Sequence, residues 1–318
     1  GCKYYCCSSL TSITIPKTVQ NIGGYAFGDC YELRCVFCES IEPIAITAMY
    51  TPVDMFANNH PERKIYVPKN SVNAYKTANG WSEYADYIKS IDDVTIYYTT
   101  INDEIIPLDY DNIISHTYQN GQGIIRFDSV VTEITEYMFY DNDDLLSISI
   151  PDSVTIVNSN TFDSCDNLVS IDLGESLKIL WGLSNCNSLS EIIMPNTLER
   201  IEPYAVRMNG LTNLELPDNL KSIGEWAFQD CNNLTSVTLG SKIELIEDFA
   251  FQGCDKLANV YCKAVTPPAI TIGPWSYWDA FNGVDSNLKI YVPIGSGAAY
   301  KAADGWKEYA SIIEEKEM

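Results

Sequence analysis

Histidine and positive charge are what this sequence has least of. Only His60 and His116 occur in 318 residues, and neither stands beside a Ser or Cys nucleophile pattern. Histidine-based triads and the HExxH zinc arrangement are thereby excluded, since both need an imidazole to carry a proton or a metal. Lys and Arg number 20 against 43 Asp and Glu, for a net charge of -23. The cations are scattered rather than gathered, so a phosphate backbone is repelled and no nucleic-acid partner is expected. The same charge disfavours anionic lipid, and no run of about 18 apolar residues is present to insert into a bilayer. No secretory leader is legible. Gly1-Cys2 admits two readings: a trimmed chain that opens inside a repeat, or Cys2 as the lipidated first residue of a bacterial lipoprotein.

What is present is core material. Hydrophobic residues make up 46% and aromatics 12%, with 21 Tyr, which excludes a disordered chain. Eleven Cys would suggest disulfides or zinc, yet most recur at a fixed interval. Cys7 and Cys30 lie 23 apart, Cys165 and Cys186 lie 21 apart, and Cys231 and Cys254 lie 23 apart. Aligned on them, the segments CSSLTSITIPKTVQNIGGYAF, CDNLVSIDLGESLKIL and CNNLTSVTLGSKIELIEDFAF share L-x-x-I/L/V-x-I/L and a turn, and the first and last continue to Ala-Phe. Such short coils bury nothing alone; stacking them places Leu on Leu and Phe on Phe. The strand alternation is clear in Leu10, Ile13 and Ile15, and again in Leu234, Val237 and Leu239. Pro16, Pro151, Gly174, Pro195, Pro217 and Gly240 follow the strands and end them.

These residues resemble the BspA-like leucine-rich-repeat family of bacterial surface proteins. Thr11 to Cys30, TSITIPKTVQNIGGYAFGDC, follows the family pattern almost position for position. The resemblance spans about four fifths of the chain. It departs at the coil near Trp181, which lacks Ala-Phe, and at Ala205-Val206, where Met208 reads as the residue in the Cys slot. The expected fold is a β-rich repeat solenoid, a right-handed leucine-rich-repeat coil with a parallel sheet on one face. Two arrays are expected, each closed by a small helical C-terminal cap.

The division rests on a second regularity. Lys64-Ile65-Tyr66-Val67-Pro68 recurs as Lys289-Ile290-Tyr291-Val292-Pro293, and Gly80-Trp81 as Gly305-Trp306, every pair offset by 225 residues. A solenoid must cover its last open coil, so these segments read as caps. Residues 1–92 then form a truncated array with its cap. Residues 93–318 form a second array with a hairpin N-cap over 93–129, about six coils over 130–262 and a cap over 263–318. The hairpin is read from Val94 to Thr100, Gly123 to Phe127 and a turn at Asn120-Gly121.

Other constellations have plainer explanations. Cys35-Val36-Phe37-Cys38 is formally C-x-x-C, but on a strand residues three apart face opposite ways, so Cys38 enters the core and Cys35 faces outward. Reduced thiols are expected. Asp141-Asn142-Asp143-Asp144 and Asp109-Tyr110-Asp111 lack the spacing of a calcium loop, and Gly121-Gln122-Gly123 lacks the third glycine of a nucleotide loop. No catalytic residue, cofactor or metal is expected.

What remains is the outward column of the strands. One slot holds Thr14, Phe37, Ser149, Asp172, Ile193, Glu215, Thr238, Tyr261 and, by extension, Tyr66 and Tyr291. Its neighbour holds Ser12, Cys35, Ser147, Ser170, Glu191, Asn213, Ser236, Asn259 and Lys289. Acids, amides and tyrosines together suit hydrogen bonding and ring stacking. The candidate ligand-binding residues are Asp172, Glu191, Ile193, Glu215, Asn259, Tyr261 and Tyr291, with Trp275, Tyr277 and Trp278 in an aromatic loop. The resemblance implies a secreted or surface-anchored, monomeric, non-catalytic adhesion protein that binds an extracellular protein of a host or neighbouring cell. A glycan-binding module and a passive spacer displaying another domain are the alternatives.

Overall fold

The computed structural model describes residues 7–47, 54–271 and 280–318. The chain is a parallel-stranded β-solenoid with few helices, in two compact units. The first comprises Gly1–Thr95, Tyr110–Ser115 and Ile125–Val130; the second comprises Ile96–Asp109, His116–Ile124 and Val131–Met318.

In the second unit, alternating apolar residues build the front strands Leu145–Ser149, Ser170–Asp172, Asn213–Glu215, Ser236–Leu239, Asn259–Cys262, Lys289–Pro293 and Ile313–Lys316. Val237, Val260 and Ile290 stand in register and are fully buried, each worth about 1.5–3 kcal/mol relative to exposure. Gly240 lies where the strand leaves the sheet. A Cβ there would sit 2.2 Å from the Pro217 carbonyl oxygen, so a side chain has no room.

A sheet on one face was expected; the structure has parallel sheets on two. The returning limb of each coil adds a two-residue strand, giving a continuous seven-stranded back sheet from Glu133–Ile134 to Ala269–Ile270. Each strand points one apolar residue inward, as Ile134, Val157, Leu180, Ile201, Ile223, Ile246 and Ile270 do. Two residues are too few to show a period in sequence.

Thr95–Thr100 pairs antiparallel with Leu145–Ser149, and the strand Gln122–Phe127 lies on its other side. The partner of Gln122–Phe127 is Ile113–Gln119. The turn between them has Asn120 at φ 54° and Gly121 at φ 77°, the two positive angles that a type I′ hairpin requires. His116 therefore lies on a strand rather than in a loop, its Nε2 2.6 Å from Tyr98 Oη, and burial lowers its pKa.

Backbone hydrogen bonds at the loop corner align Phe139, Phe162, Leu183, Val206, Phe228, Phe251 and, one coil on, Phe281 as one column. Leu183 and Val206 thus fill the slots where Phe is missing. Phe139 stacks on Phe162 at 5.3 Å and Phe228 on Phe251 at 5.1 Å. Three residues after this column comes the Cys slot, and its role is to donate. Cys165, Cys186, Cys231 and Cys254 direct their thiols to the carbonyls of Phe139, Phe162, Val206 and Phe228 at 3.0–3.3 Å.

The residue taking this slot in the Val206 coil is Asn209, not Met208. Asn209 is buried and its amide nitrogen donates to the Leu183 and Val206 carbonyls at 2.8 and 2.7 Å. Met208 instead shares the preceding left-handed position with Ser164, Asn185 and Asp230, at φ 54° against 63°, 57° and 56°. Replacing Asn209 with Leu leaves the Leu183 carbonyl without its donor, while the Val206 carbonyl keeps the Cys231 thiol, and is expected to cost about 1–3 kcal/mol, whereas Asn209→Cys should cost less than about 1. Urea unfolding of the two variants measures this; equal losses would show that donation is not what the slot supplies.

The first unit repeats the plan with Ser12–Ile15, Cys35–Cys38, Lys64–Val67 and Ile88–Ser90 in one parallel sheet and Asn21–Gly23 against Ala45–Thr47 in another. The two segments offset by 225 residues fold alike. Val72–Thr77 and Gly297–Ala302 are helices, and Tyr75 meets Trp81 edge-on at 4.9 Å as Tyr300 meets Trp306 at 5.0 Å. Each indole N–H donates at 2.7 Å to a carbonyl of the preceding segment, Ile44 and Pro268 respectively.

Candidate functional site

Strand register settles which side chains share the outward column of the second unit. Ser149 pairs with Asp172, Asp172 bridges Ile193, and Glu215, Thr238, Tyr261 and Tyr291 are successive partners. The neighbouring column runs Asn213, Ser236, Asn259, Lys289. The columns read from the sequence are thus the columns of the fold on each side of a break between Ile193 and Glu215.

The front sheet is nevertheless split. Full strands end at Ser170–Asp172 and resume at Asn213–Glu215, and between them a single bridge at Ile193 remains. Coil length explains the split. The slot recurs after 23 residues from Ser149 to Asp172, after 21 to Ile193, after 22 to Glu215, and after 23 again to Thr238. The back sheet stays paired through the same short coils, so the deficit falls on the front. Two hollows result on either side of Ile193. One is lined by Asp172, Glu175 and Glu191, the other by Glu191, Glu215, Asp218 and Lys263 among others.

Ile193 itself stands 87% exposed, an aliphatic side chain ringed by carboxylates. Asp172 is partly engaged, accepting from the Ser149 hydroxyl at 3.0 Å and the Gly174 amide at 3.1 Å. Glu191 and Glu215 are exposed and have no ion-pair partner among the described residues. Lys263 lies 3.9 Å from Asp218, a long and exposed pairing worth little.

The tyrosine end of the column differs. Tyr261 and Tyr291 stack at 4.9 Å, and the Lys316 ammonium lies 5.0 and 4.7 Å from their centroids. These rings are half-buried and already have a cationic partner. Asn259 is half-buried between Ser236 and Lys289, and Lys289 is drawn to Glu314 at 2.7 Å. The acids and Ile193 therefore come together, while Asn259, Tyr261 and Tyr291 form a separate group in which the two rings are already stacked beside Lys316. Trp275, Tyr277 and Trp278 lie outside the described residues.

In the first unit the outward column is covered from Phe37 onward, while Thr14 is exposed. Phe37 and Tyr66 stack at 5.1 Å and are buried with Cys35 beneath Ile91, Val94 and Ile114. Arg126 lies 5.2 Å over the Phe37 ring, donates to Thr14 Oγ1 at 2.9 Å and pairs with Glu39 at 2.9 Å. Cys35 thus faces away from the main core, as its strand position requires, but a second small core covers it. Its thiol points to the Asp128 carbonyl at 3.5 Å, and burial, reinforced by the Asp128 charge, raises its pKa to about 11. Burial alone raises Cys38 to about 12. The C-x-x-C pair is on opposite faces of one strand, and the nine described cysteines are all free. Among the described residues no group of three or more His, Cys, Asp or Glu is placed to hold a metal ion, and no helix is long and apolar enough to cross a membrane.

Similarity to known proteins is strongest at the level of the repeat. Solved structures similar to this chain include the pneumococcal vaccine antigen PcpA, 16% identical, covering 98% of this chain and 69% of that one with a TM-score of 0.47. A leucine-rich-repeat protein of T. pallidum is 21% identical, covering 64% of this chain and 95% of that one at a TM-score of 0.41. A leucine-rich cell surface protein of Faecalibacterium prausnitzii is 18% identical, covering 99% and 86% at 0.36. No curated protein matches the sequence. The family profile described as "BspA type Leucine rich repeat region" matches in six copies, over residues 2–124, 89–182 and 182–272. With its coils stacked as that repeat demands, the chain belongs to the BspA type leucine-rich-repeat family.

Proposed function

We propose that this chain is a non-catalytic binding protein of the bacterial surface or exterior, and that it engages an extracellular protein of a host or neighbouring cell through the split in its front sheet. One observation carries the reading: Ile193, 87% exposed, projects between two hollows whose lining includes five carboxylates. An aliphatic side chain at the centre of a polar rim matches the anatomy of protein interfaces, where a few central apolar contacts supply most of the affinity. A glycan platform would need free aromatic faces, and at Tyr261 and Tyr291 each ring stacks on the other beside Lys316.

The test is surface capture of arrayed extracellular proteins and glycans by the wild-type chain and by Ile193→Ser. Because Ile193 is exposed, the variant should unfold at the wild-type temperature. Its affinity for a captured protein should drop roughly tenfold or more, about 1.4 kcal/mol at least. Protein capture that ignores the substitution would overturn the placement. Capture of glycans alone would favour the glycan-binding alternative, and capture of nothing would favour a spacer.

A further inference from the structure

The chemistry around Ile193 is lopsided, and that lopsidedness specifies a partner. Asp172, Glu175, Glu191, Glu215 and Asp218 line the two hollows, and the cation among their lining residues is Lys263, whose charge is already directed at Asp218 from 3.9 Å. Each carboxylate is at least half-exposed or lies on the open face, so a ligand can reach it without rearranging the sheet. Asp172 bridges Ile193, and Glu215 lines with Ile193 the hollow on its other side, so acid, aliphatic and acid follow one another. Parallel strands stand about 4.8 Å apart, so the two acids that flank Ile193 are at least about 10 Å apart along the coil axis.

We infer that the split selects a cationic polypeptide segment, laid along the stacked coils in extended form, with an apolar side chain against Ile193 and a Lys or Arg on either side. This rests on the front-sheet reading above and adds the chemistry of the ligand to it. Extended chain rises about 3.3 Å per residue and alternate side chains share a face, so residues i, i+2 and i+4 span about 13 Å. The long, flexible stems of lysine absorb the difference from the spacing of the acids. A cation-apolar-cation triplet at alternate positions is therefore the pattern that fits, and an acidic ligand would meet the same carboxylates as repulsion.

The probe is a capped peptide, Gly-Lys-Ser-Leu-Ser-Lys-Gly, titrated into the whole chain and followed by nuclear magnetic resonance or calorimetry. Two counterparts replace both Lys with Glu, or Leu with Ser. The Lys-Leu peptide should bind at least roughly tenfold more tightly than the Glu-Leu peptide. The pair Glu191→Gln with Glu215→Gln should weaken it about tenfold, and Ile193→Ser should abolish its advantage over the Lys-Ser peptide. A second pair with the same change in net charge, Asp255→Asn with Glu308→Gln, should change affinity less than about twofold. Equal weakening by that pair would mean diffuse attraction to an acidic protein and would overturn the inference. So would equal binding of the Glu-Leu peptide, or no binding of any peptide. If captured proteins still depend on Ile193 in that case, the front sheet remains the binding face and the cationic ligand falls; if nothing depends on Ile193, both fall.

Discussion

Phe228→Ala is expected to lower the unfolding free energy by about 3–5 kcal/mol, more than any surface substitution in the front sheet. Phe228 is fully buried and stacks on Phe251 at 5.1 Å, which in turn stacks on Phe281 at 5.4 Å. Removing the first ring deletes its own transfer energy and leaves a cavity against the second, whose contact is on the neighbouring coil rather than its own. Because each coil touches mainly its neighbours, the damage should stay local. Hydrogen exchange should quicken across the coils that carry Phe228 and Phe251 and stay near wild type around Phe139 and Phe162, which form a separate stacked pair. Uniform acceleration throughout would contradict a core built coil by coil. The Leu183 and Val206 coils separate the two aromatic stacks, so they are where that boundary is expected.

The ladder and its register were readable because stacking repeats the same slots. Asp172, Ile193 and Glu215 could be assigned to one column from the spacing of Leu, Ile and Val; pairing joins Asp172 to Ile193 and, on the far side of the split, Glu215 to Thr238. The Asn120-Gly121 turn was readable for the same local reason, since few dipeptides adopt two positive φ angles. The strand Ile113–Gln119 was not, because Ser115, His116, Thr117 and Gln119 look like loop and it is held mainly by its partner strand. Nor was the burial of Phe37 and Tyr66, which depends on Arg126 and Ile114 far along the chain. The split in the front sheet lies between these cases. Its signal, 21 residues from Cys165 to Cys186, was in view, but spacing alone does not say which face of the coil loses its pairing. The continuous back sheet supplies that answer.

Alkali should unfold this protein, and its buried thiols give the pH range. Burial raises the pKa of Cys38 and Cys165 from 9.0 to about 12, and holds Cys186 well above its ordinary value. Cys262 is raised too, mainly by burial, and so are the buried Tyr66, Tyr75 and Tyr300. The sign follows from proton uptake. Above pH 9 the unfolded chain sheds thiol protons that the native state retains, so native-state stability is complete below pH 9 and is lost as pH rises toward about 12. Each pH unit of displacement corresponds to about 1.4 kcal/mol, so Cys38 in the first unit and Cys165 in the second each withdraw stability from the unit that carries them. Thiolate absorbance should therefore rise together with loss of circular dichroism. Cys38→Val removes one of the titrating protons and should make the decline of stability with pH shallower. Thiolate signal growing near pH 9 while the fold persists would show that these thiols are open to solvent, and the account of Cys as a buried donor between coils would fail.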